Sequence, residues 1–103
     1  MERRKVLRRE VSFEVAYSAE GVKGKAPARQ LSEFGILIGP LDHPRLLMEK
    51  HIQLNFTLPD RAPFQMRGYC AYITTTAAGI RFDNVPQEVK AVLSKFVNEE
   101  EAA

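Results

Sequence analysis

The sequence predicts an all-β domain, a small six- to seven-stranded antiparallel β-barrel that is followed by one C-terminal α-helix. Three observations predict this fold class. Most of the chain alternates apolar and polar residues with period two between turn residues, which is typical of strands. The period changes to that of a helix only near the C-terminus. The 103 residues suffice for one domain with one core, and closing the sheet into a barrel removes its edge strands.

The strands predicted in the first half of the chain are short. Residues 11–17 alternate β-branched or aromatic side chains with small or polar ones, which indicates a half-buried strand. Residues 22–28 form a return strand, in which Pro27 fits only an edge or a bend. Residues 36–38 form a short buried strand. Residues 41–50 are polar and mixed, which predicts a loop with one helical turn.

The second half contains the clearest strand pattern and the helix. Residues 52–58 alternate most regularly, residues 64–75 form a long strand, and residues 79–82 form the last one. Gly68 marks a bulge or a close-packing point within the long strand. The helix begins near Pro86, which suits a first turn. Its apolar face consists of Val85, Val89, Val92, Leu93, Phe96 and Val97.

The charge distribution divides the chain into three parts. The net charge is only +2, but the first ten residues contain five basic side chains against two acidic ones. We expect residues 1–10 to form a flexible arginine-rich segment, residues 11–98 the barrel and helix, and residues 99–103 a frayed acidic tail. A basic segment beside a nearly neutral body favours an anionic partner at the N-terminal end.

Few side chains of the sequence could carry catalysis or bind a metal. His43 and His51 lack the spacing of metal ligands, and Cys70 lies mid-strand as a buried, unreactive thiol. We therefore expect that the protein is not an enzyme and has no cofactor or metal. The sequence shows neither a long apolar stretch nor a signal peptide, so we expect no membrane span and a cytoplasmic location.

Two short motifs stand in order around this strand pattern. Arg4 and Arg8 form R-x-x-x-R just before the first strand, and residues 30–35 match D/N-x-S-x-x-G at Ser32 and Gly35. With these motifs the chain resembles the PilZ family, bacterial receptor domains for cyclic diguanylate (c-di-GMP). The last strands and the terminal helix also look like those of the family, so the resemblance covers nearly the whole chain.

The resemblance implies a c-di-GMP site that is built from both motifs. The ligand-binding residues that it implies are Arg3, Arg4, Arg8, Gln30, Ser32 and Gly35. Their chemistry is suitable, because an arginine pairs with phosphate or with guanine O6 and N7 and stacks on a base. Ser32 offers a hydroxyl, and Gly35 permits positive φ or close backbone approach. An arginine at position 3 implies a stacked pair of ligands instead of one.

The function implied is that of a receptor whose N-terminal segment becomes ordered on the ligand and which then signals to a partner protein. Gln30 departs from the family's Asp or Asn, since its amide lies one methylene farther out and costs more side-chain entropy. The alternative is a PilZ-like protein-interaction adaptor that does not bind the nucleotide. Ser32 and Gly35 would then be turn residues only, and the basic segment a solvated tail.

A nucleic-acid-binding barrel is a further alternative, which we do not favour. Such a module needs exposed aromatic side chains on which bases stack. The strand aromatics instead fall within patterns typical of buried positions; they are Phe13, Tyr17, Phe56 and Phe82.

Overall fold

The computed structural model describes residues 9–58, 61 and 63–102, and for residues 99–102 it describes the backbone only. The strands are β1 (Arg9–Glu10), β2 (Glu14–Ala19), β3 (Val22–Leu31), β4 (Gly35–Ile38), β5 (His51–Thr57), β6 (Pro63–Ile73) and β7 (Ala78–Phe82). A 3₁₀ helix spans Pro44–Leu47, and the α-helix α1 spans Gln87–Ala102. No helix of the described ranges is long and apolar enough to cross a membrane.

Six of these strands close into an antiparallel barrel. Their order around the barrel is β3-β2-β5-β6-β7-β4, and β4 pairs again with β3. The closure depends on the length of β3, because its first part pairs with β2 and its last residues pair with β4. This architecture confirms the predicted fold class: a closed six-stranded barrel, one additional strand and a C-terminal helix.

The first predicted strand is divided in the structure. Residues 11–13 are not part of a strand, and they separate β1 from β2, although both strands pair with β3. Pro27 faces Glu14 at the point of interruption and has no N–H to contribute to the ladder. The backbone N–H of Ala28 donates instead to the carbonyl of Phe13 at 2.7 Å. Residues 9–10, which we expected in the flexible segment, therefore pair with the barrel as β1.

A single apolar core fills the barrel and extends under α1. The strands contribute fully buried side chains such as Val15, Ile38 and Leu54. The helix buries Leu93 and Phe96 in the same cluster, as its predicted apolar face requires. The helix continues to Ala102, past residue 98, its predicted end.

Of the two features that Gly68 was predicted to mark in the long strand β6, the structure supports close packing and places the bulge elsewhere. A Cβ on Gly68 would lie 2.6 Å from Cγ2 of Ile80, so this glycine is a close-packing point. The bulge lies three residues later. Cys70 pairs with Ile80 and Tyr72 with Gly79, which leaves Ala71 as the extra residue.

Candidate functional site

A cavity of about 270 Å³ lies between the β3–β4 turn and the bulged part of the β6–β7 pair. Three of the residues predicted to bind ligand, Gln30, Ser32 and Gly35, line this cavity. Most of its wall is apolar and comes from β4, β6 and β7. A concave, largely apolar pocket with a few polar groups is the usual form of a small-molecule site.

Ser32 holds the turn that forms one side of the cavity. Its side chain is buried, and its Oγ accepts hydrogen bonds from the backbone N–H groups of Phe34 and Gly35, each at 3.1 Å. The hydroxyl donates to the carbonyl of Gly35 at 3.4 Å, and the Ser32 N–H donates to the same oxygen at 3.0 Å. Ser32 therefore fixes the geometry of the turn with its own side chain.

Gly35 allows β4 to approach the backbone of β7. A Cβ at this position would lie 2.5 Å from the carbonyl oxygen of Ile80. The positive-φ glycine of the described residues is Gly21 and not Gly35, so close approach is the reason for a glycine here. Of the two explanations offered by the sequence, the structure supports close packing.

Gln30 lies on β3 beside the mouth of the cavity. It is half-buried and pairs with Glu10 of β1 on one side and with Leu37 of β4 on the other. The register of β3 and β4 shifts between Ala28 and Gln30. Since bulges redirect side chains, this irregularity contributes to how β3 presents Gln30 at the barrel edge.

The opposite wall of the cavity contains residues that sequence reasoning missed. Tyr72 on β6 and Arg81 on β7 both line the cavity, and the side chain of Tyr72 is 49% exposed. The Tyr72 ring lies so close to Gly79 that a Cβ there would collide with the ring. Arg81 is an exposed residue between the buried Ile80 and Phe82, a polar break in an apolar strand that could have marked it. The bulge at Ala71, which sequence alone does not reveal, sets the position of Tyr72.

Phe34 stands at the tip of the β3–β4 turn, at the rim of the cavity. Its side chain is 45% exposed, and the Nζ of Lys90 on α1 lies 5.1 Å from the ring centroid. This distance is within the range of a cation–π interaction. The rim of the cavity therefore contacts the helix as well as the strands.

The chain enters the site along β1. Arg9 pairs with Leu31, and Glu10 pairs with Gln30. Arg3, Arg4 and Arg8, the arginines predicted to bind the ligand, lie outside the described residues.

The two histidines and the cysteine, to which the sequence assigned no functional role, lie away from the cavity wall. His43 is exposed, and Nδ1 of the exposed His51 lies 3.4 Å from a carboxylate oxygen of Asp83. Cys70 is fully buried, as predicted, and donates from Sγ to the carbonyl of Tyr72 at 3.5 Å. Burial raises the pKa of this thiol, because the thiolate would lose its hydration. Cys70 is therefore a packing residue.

Sequence comparison finds no match for this chain among protein-family models or curated proteins. Solved structures match its fold. The inhibitor of motility MotI/DgrA from Bacillus subtilis aligns with a TM-score of 0.84 at 13% identity, over 99% of this chain and 52% of that one. This chain thus spans about half the length of that protein.

Two isolated domains match over nearly their whole length. The PilZ domain with c-di-GMP of YcgR from Escherichia coli has a TM-score of 0.76 at 18% identity, and the alignment covers 98% of this chain and 95% of that one. The PilZ domain of CeSA from a cellulose-synthesizing bacterium has a TM-score of 0.71 at 10% identity, over 91% and 97% of the two chains. The barrel, the added strand and the terminal helix described above therefore form a PilZ-domain fold.

Proposed function

We propose that this protein is a receptor domain for c-di-GMP that binds its ligand at the cavity beside the β3–β4 turn. The observation that carries the proposal is the convergence of Gln30, Ser32 and Gly35 on one cavity at the strand that leads into the arginine segment. The YcgR PilZ domain, which has the same fold, was solved with c-di-GMP. In this proposal the domain acts in the bacterial cytoplasm.

The size of the cavity supports a site that is completed by the N-terminal arginines. At about 270 Å³, the cavity lies just below the roughly 300–1,000 Å³ of typical ligand pockets. It suits one part of a cyclic dinucleotide, and the rest would extend over the rim. Arg8 directly precedes Arg9 in the sequence, so the arginine segment joins the barrel at β1, the strand that borders Gln30.

The proposed roles follow from the chemistry of each group. Arg4 and Arg8 pair with the phosphates or with guanine O6 and N7 as planar forks. Gln30 offers an amide to the guanine edge. Tyr72 provides an aromatic face for stacking, and Arg81 provides a further cation on the cavity wall.

In this proposal, ligand binding orders the arginine segment and thereby changes the surface that the domain offers to a partner protein. A charged segment of this composition gains little from packing alone, so an anionic ligand that pairs with several arginines can offset the cost of ordering it. The signal would pass to another protein through the altered surface.

Isothermal titration calorimetry with c-di-GMP tests the proposal. The protein should bind saturably, and Arg4→Ala or Arg8→Ala should each weaken binding about ten- to hundredfold, because each removes a charge-assisted contact worth about 1.5–3 kcal/mol. Arg45→Ala, which removes an exposed arginine of the 3₁₀ helix, is the matched control and should bind normally. Normal binding by both Arg4→Ala and Arg8→Ala would refute the assigned site.

The same titration measures how many ligands bind. If Arg3 stacks on the guanine of a second ligand, the protein should bind two molecules per chain. Arg3→Leu should then lower the ratio towards one while binding persists. An unchanged ratio in Arg3→Leu would remove Arg3 from the site.

A second candidate is the adaptor that does not bind the nucleotide. The observation in its favour is that the Ser32 hydroxyl already bonds three times within its own turn, so that it serves the turn without any ligand. Absence of c-di-GMP binding in both the natural protein and Gln30→Asp would favour this function.

A further inference from the structure

Arg9 is attached to the helix as well as to the barrel. Its guanidinium carbon lies 4.1 Å from the centroid of the Phe96 ring, and its Nη1 donates to the Phe96 carbonyl at 2.9 Å. Phe96 is a buried residue of α1. One side chain therefore contacts both the face and the backbone of a residue that is 87 positions away in the chain.

A second arginine, Arg61 in the loop between β5 and β6, also lies over the Phe96 ring. Its guanidinium carbon lies 5.4 Å from the same centroid. The ring is thus the point at which β1, α1 and the β5–β6 loop meet. Planar guanidinium groups suit such stacking better than ammonium groups do.

β1 is short: it has two residues, and among the described strands it pairs with β3. Beyond β1 the backbone bonds to β3 only intermittently, through the Val11 N–H to the Arg29 carbonyl at 3.0 Å and through the Phe13 carbonyl from the Ala28 N–H at 2.7 Å. The side chain of Arg9 supplies a second attachment on a different element. Together the two attachments fix the point from which the arginine segment extends.

We propose that Arg9 is a positioning residue that clamps β1 to α1 and so sets the entry of the arginine segment beside Gln30. Through this clamp, ordering of the segment is coupled to the part of α1 around Phe96. The clamp exists in the free protein, and its effect on ligand affinity rests on the proposed c-di-GMP function. The competing role for Arg9 is a direct ligand contact.

Hydrogen exchange measured by mass spectrometry on the free protein tests the clamp. Arg9→Ala should accelerate exchange in β1 and in the segment of α1 around Phe96. Arg29→Ala is the matched control, because it removes an exposed arginine from the adjacent strand β3, and it should leave exchange unchanged. Arg9→Lys should restore part of the protection, since an ammonium can also donate to the carbonyl and lie over the ring. Equal exchange in Arg9→Ala and Arg29→Ala would overturn the clamp.

Ligand affinity distinguishes positioning from contact. Arg9→Ala should weaken c-di-GMP binding about three- to thirtyfold, in line with the strength of a cation–π contact. Phe96→Leu keeps the charge of Arg9 but removes the ring, and it should weaken binding to a similar extent. The double variant should bind no more weakly than the weaker single variant.

The other outcomes of the binding experiment distinguish a direct ligand contact by Arg9 from failure of the proposed function. Loss of affinity in Arg9→Ala but not in a folded Phe96→Leu would show that Arg9 contacts the ligand, which overturns the proposal. Circular dichroism tests whether Phe96→Leu is folded. If it is not folded, the exchange experiment on Arg9→Ala and Arg9→Lys decides whether the clamp exists. If the natural protein does not bind c-di-GMP, the proposed function fails, whereas the exchange data still decide whether the clamp exists.

Discussion

Gln30 is the residue at which the chemistry of the site can be changed most directly. Guanine presents two adjacent donors on one edge, N1–H and N2–H, and a carboxylate accepts from both with charge assistance. The amide of Gln30 offers only one acceptor. Gln30 pairs with Glu10 on β1. A carboxylate at position 30 would therefore face a like charge in the free protein.

We predict that Gln30→Asp strengthens c-di-GMP binding by about 1–2 kcal/mol, since a charged acceptor replaces a neutral one. Gln30→Asn, which shortens the side chain without adding charge, is the control in the same titration. Adding Glu10→Gln to Gln30→Asp should raise the affinity further if the facing carboxylates repel each other. Weaker binding by Gln30→Asp would mean that the longer amide makes a contact of its own.

Gly35 is the residue at which the turn and the sheet constrain each other. We predict that Gly35→Ala destabilises the domain by about 1–3 kcal/mol, as for other overpacked sites, because the new Cβ would meet the Ile80 carbonyl at 2.5 Å. Thermal unfolding should show a midpoint lower by about 4–8 °C for each kcal/mol.

Gly21→Asn is the control for this measurement. Gly21 has φ +76°, which asparagine tolerates, and no atom lies within 4 Å of its added Cβ. A midpoint as high in Gly35→Ala as in Gly21→Asn would show that β4 and β7 can separate without cost.

At the scale of elements, the bulged pair of β6 and β7 shapes one wall of the cavity. The bulge at Ala71 brings Tyr72 opposite Gly79, and the absence of a side chain on Gly79 lets the Tyr72 ring lie against the backbone. Tyr72 and Arg81 then line the same cavity as the β3–β4 turn. The β3–β4 turn and the bulged part of the β6–β7 pair, which are distant in sequence, thus form one concave surface.

We predict that Gly79→Ala displaces the Tyr72 ring and weakens c-di-GMP binding. Tyr72→Ala should cost about 1–3 kcal/mol of binding energy, the range for stacking of a base on an aromatic side chain. Tyr72→Phe keeps the ring and should bind nearly as well as the natural protein. Calorimetry on these three variants checks the prediction, and full affinity in Tyr72→Ala would exclude the ring from the site.

At the scale of the whole molecule, the exposed phenylalanine and tyrosine side chains of the described residues lie at one place. Phe56 and Phe82 are buried, and the Phe13 ring stacks on Phe56 with centroids 5.5 Å apart. Phe34 and Tyr72 are exposed, and both line the candidate cavity. The described surface therefore suits a compact ligand better than an extended single strand, which needs a row of stacking platforms.

We predict saturable binding of c-di-GMP with only weak binding of short RNA that falls steeply as salt rises. Nucleic-acid affinity depends on counterion release and so on the number of phosphates contacted, and the net charge of this protein is only +2. Titrations at about 50 and 200 mM salt with c-di-GMP, GMP and an oligonucleotide test this. Tight RNA binding at physiological salt without a response to c-di-GMP would reverse the assignment.

The sequence by itself determined where most of the strands and the helix lie along the chain. The signals are local, because a strand or helix with one buried side repeats apolar residues at its own period. Examples are the alternation of Ile52, Leu54 and Phe56 and the change of period before Val89. The turn at Ser32 was also readable, because a serine that bonds to the backbone within three residues acts locally.

Only the tertiary structure decided which of these elements meet. The return of β4 to β3, the bulge that sets Tyr72 over Gly79 and the contact of Arg9 with Phe96 join residues that no local pattern connects. The interruption between β1 and β2 likewise depends on pairing with β3 at Pro27. Periodicity shows which side of a strand or helix is buried. Which other element packs against that side depends on packing across the whole chain.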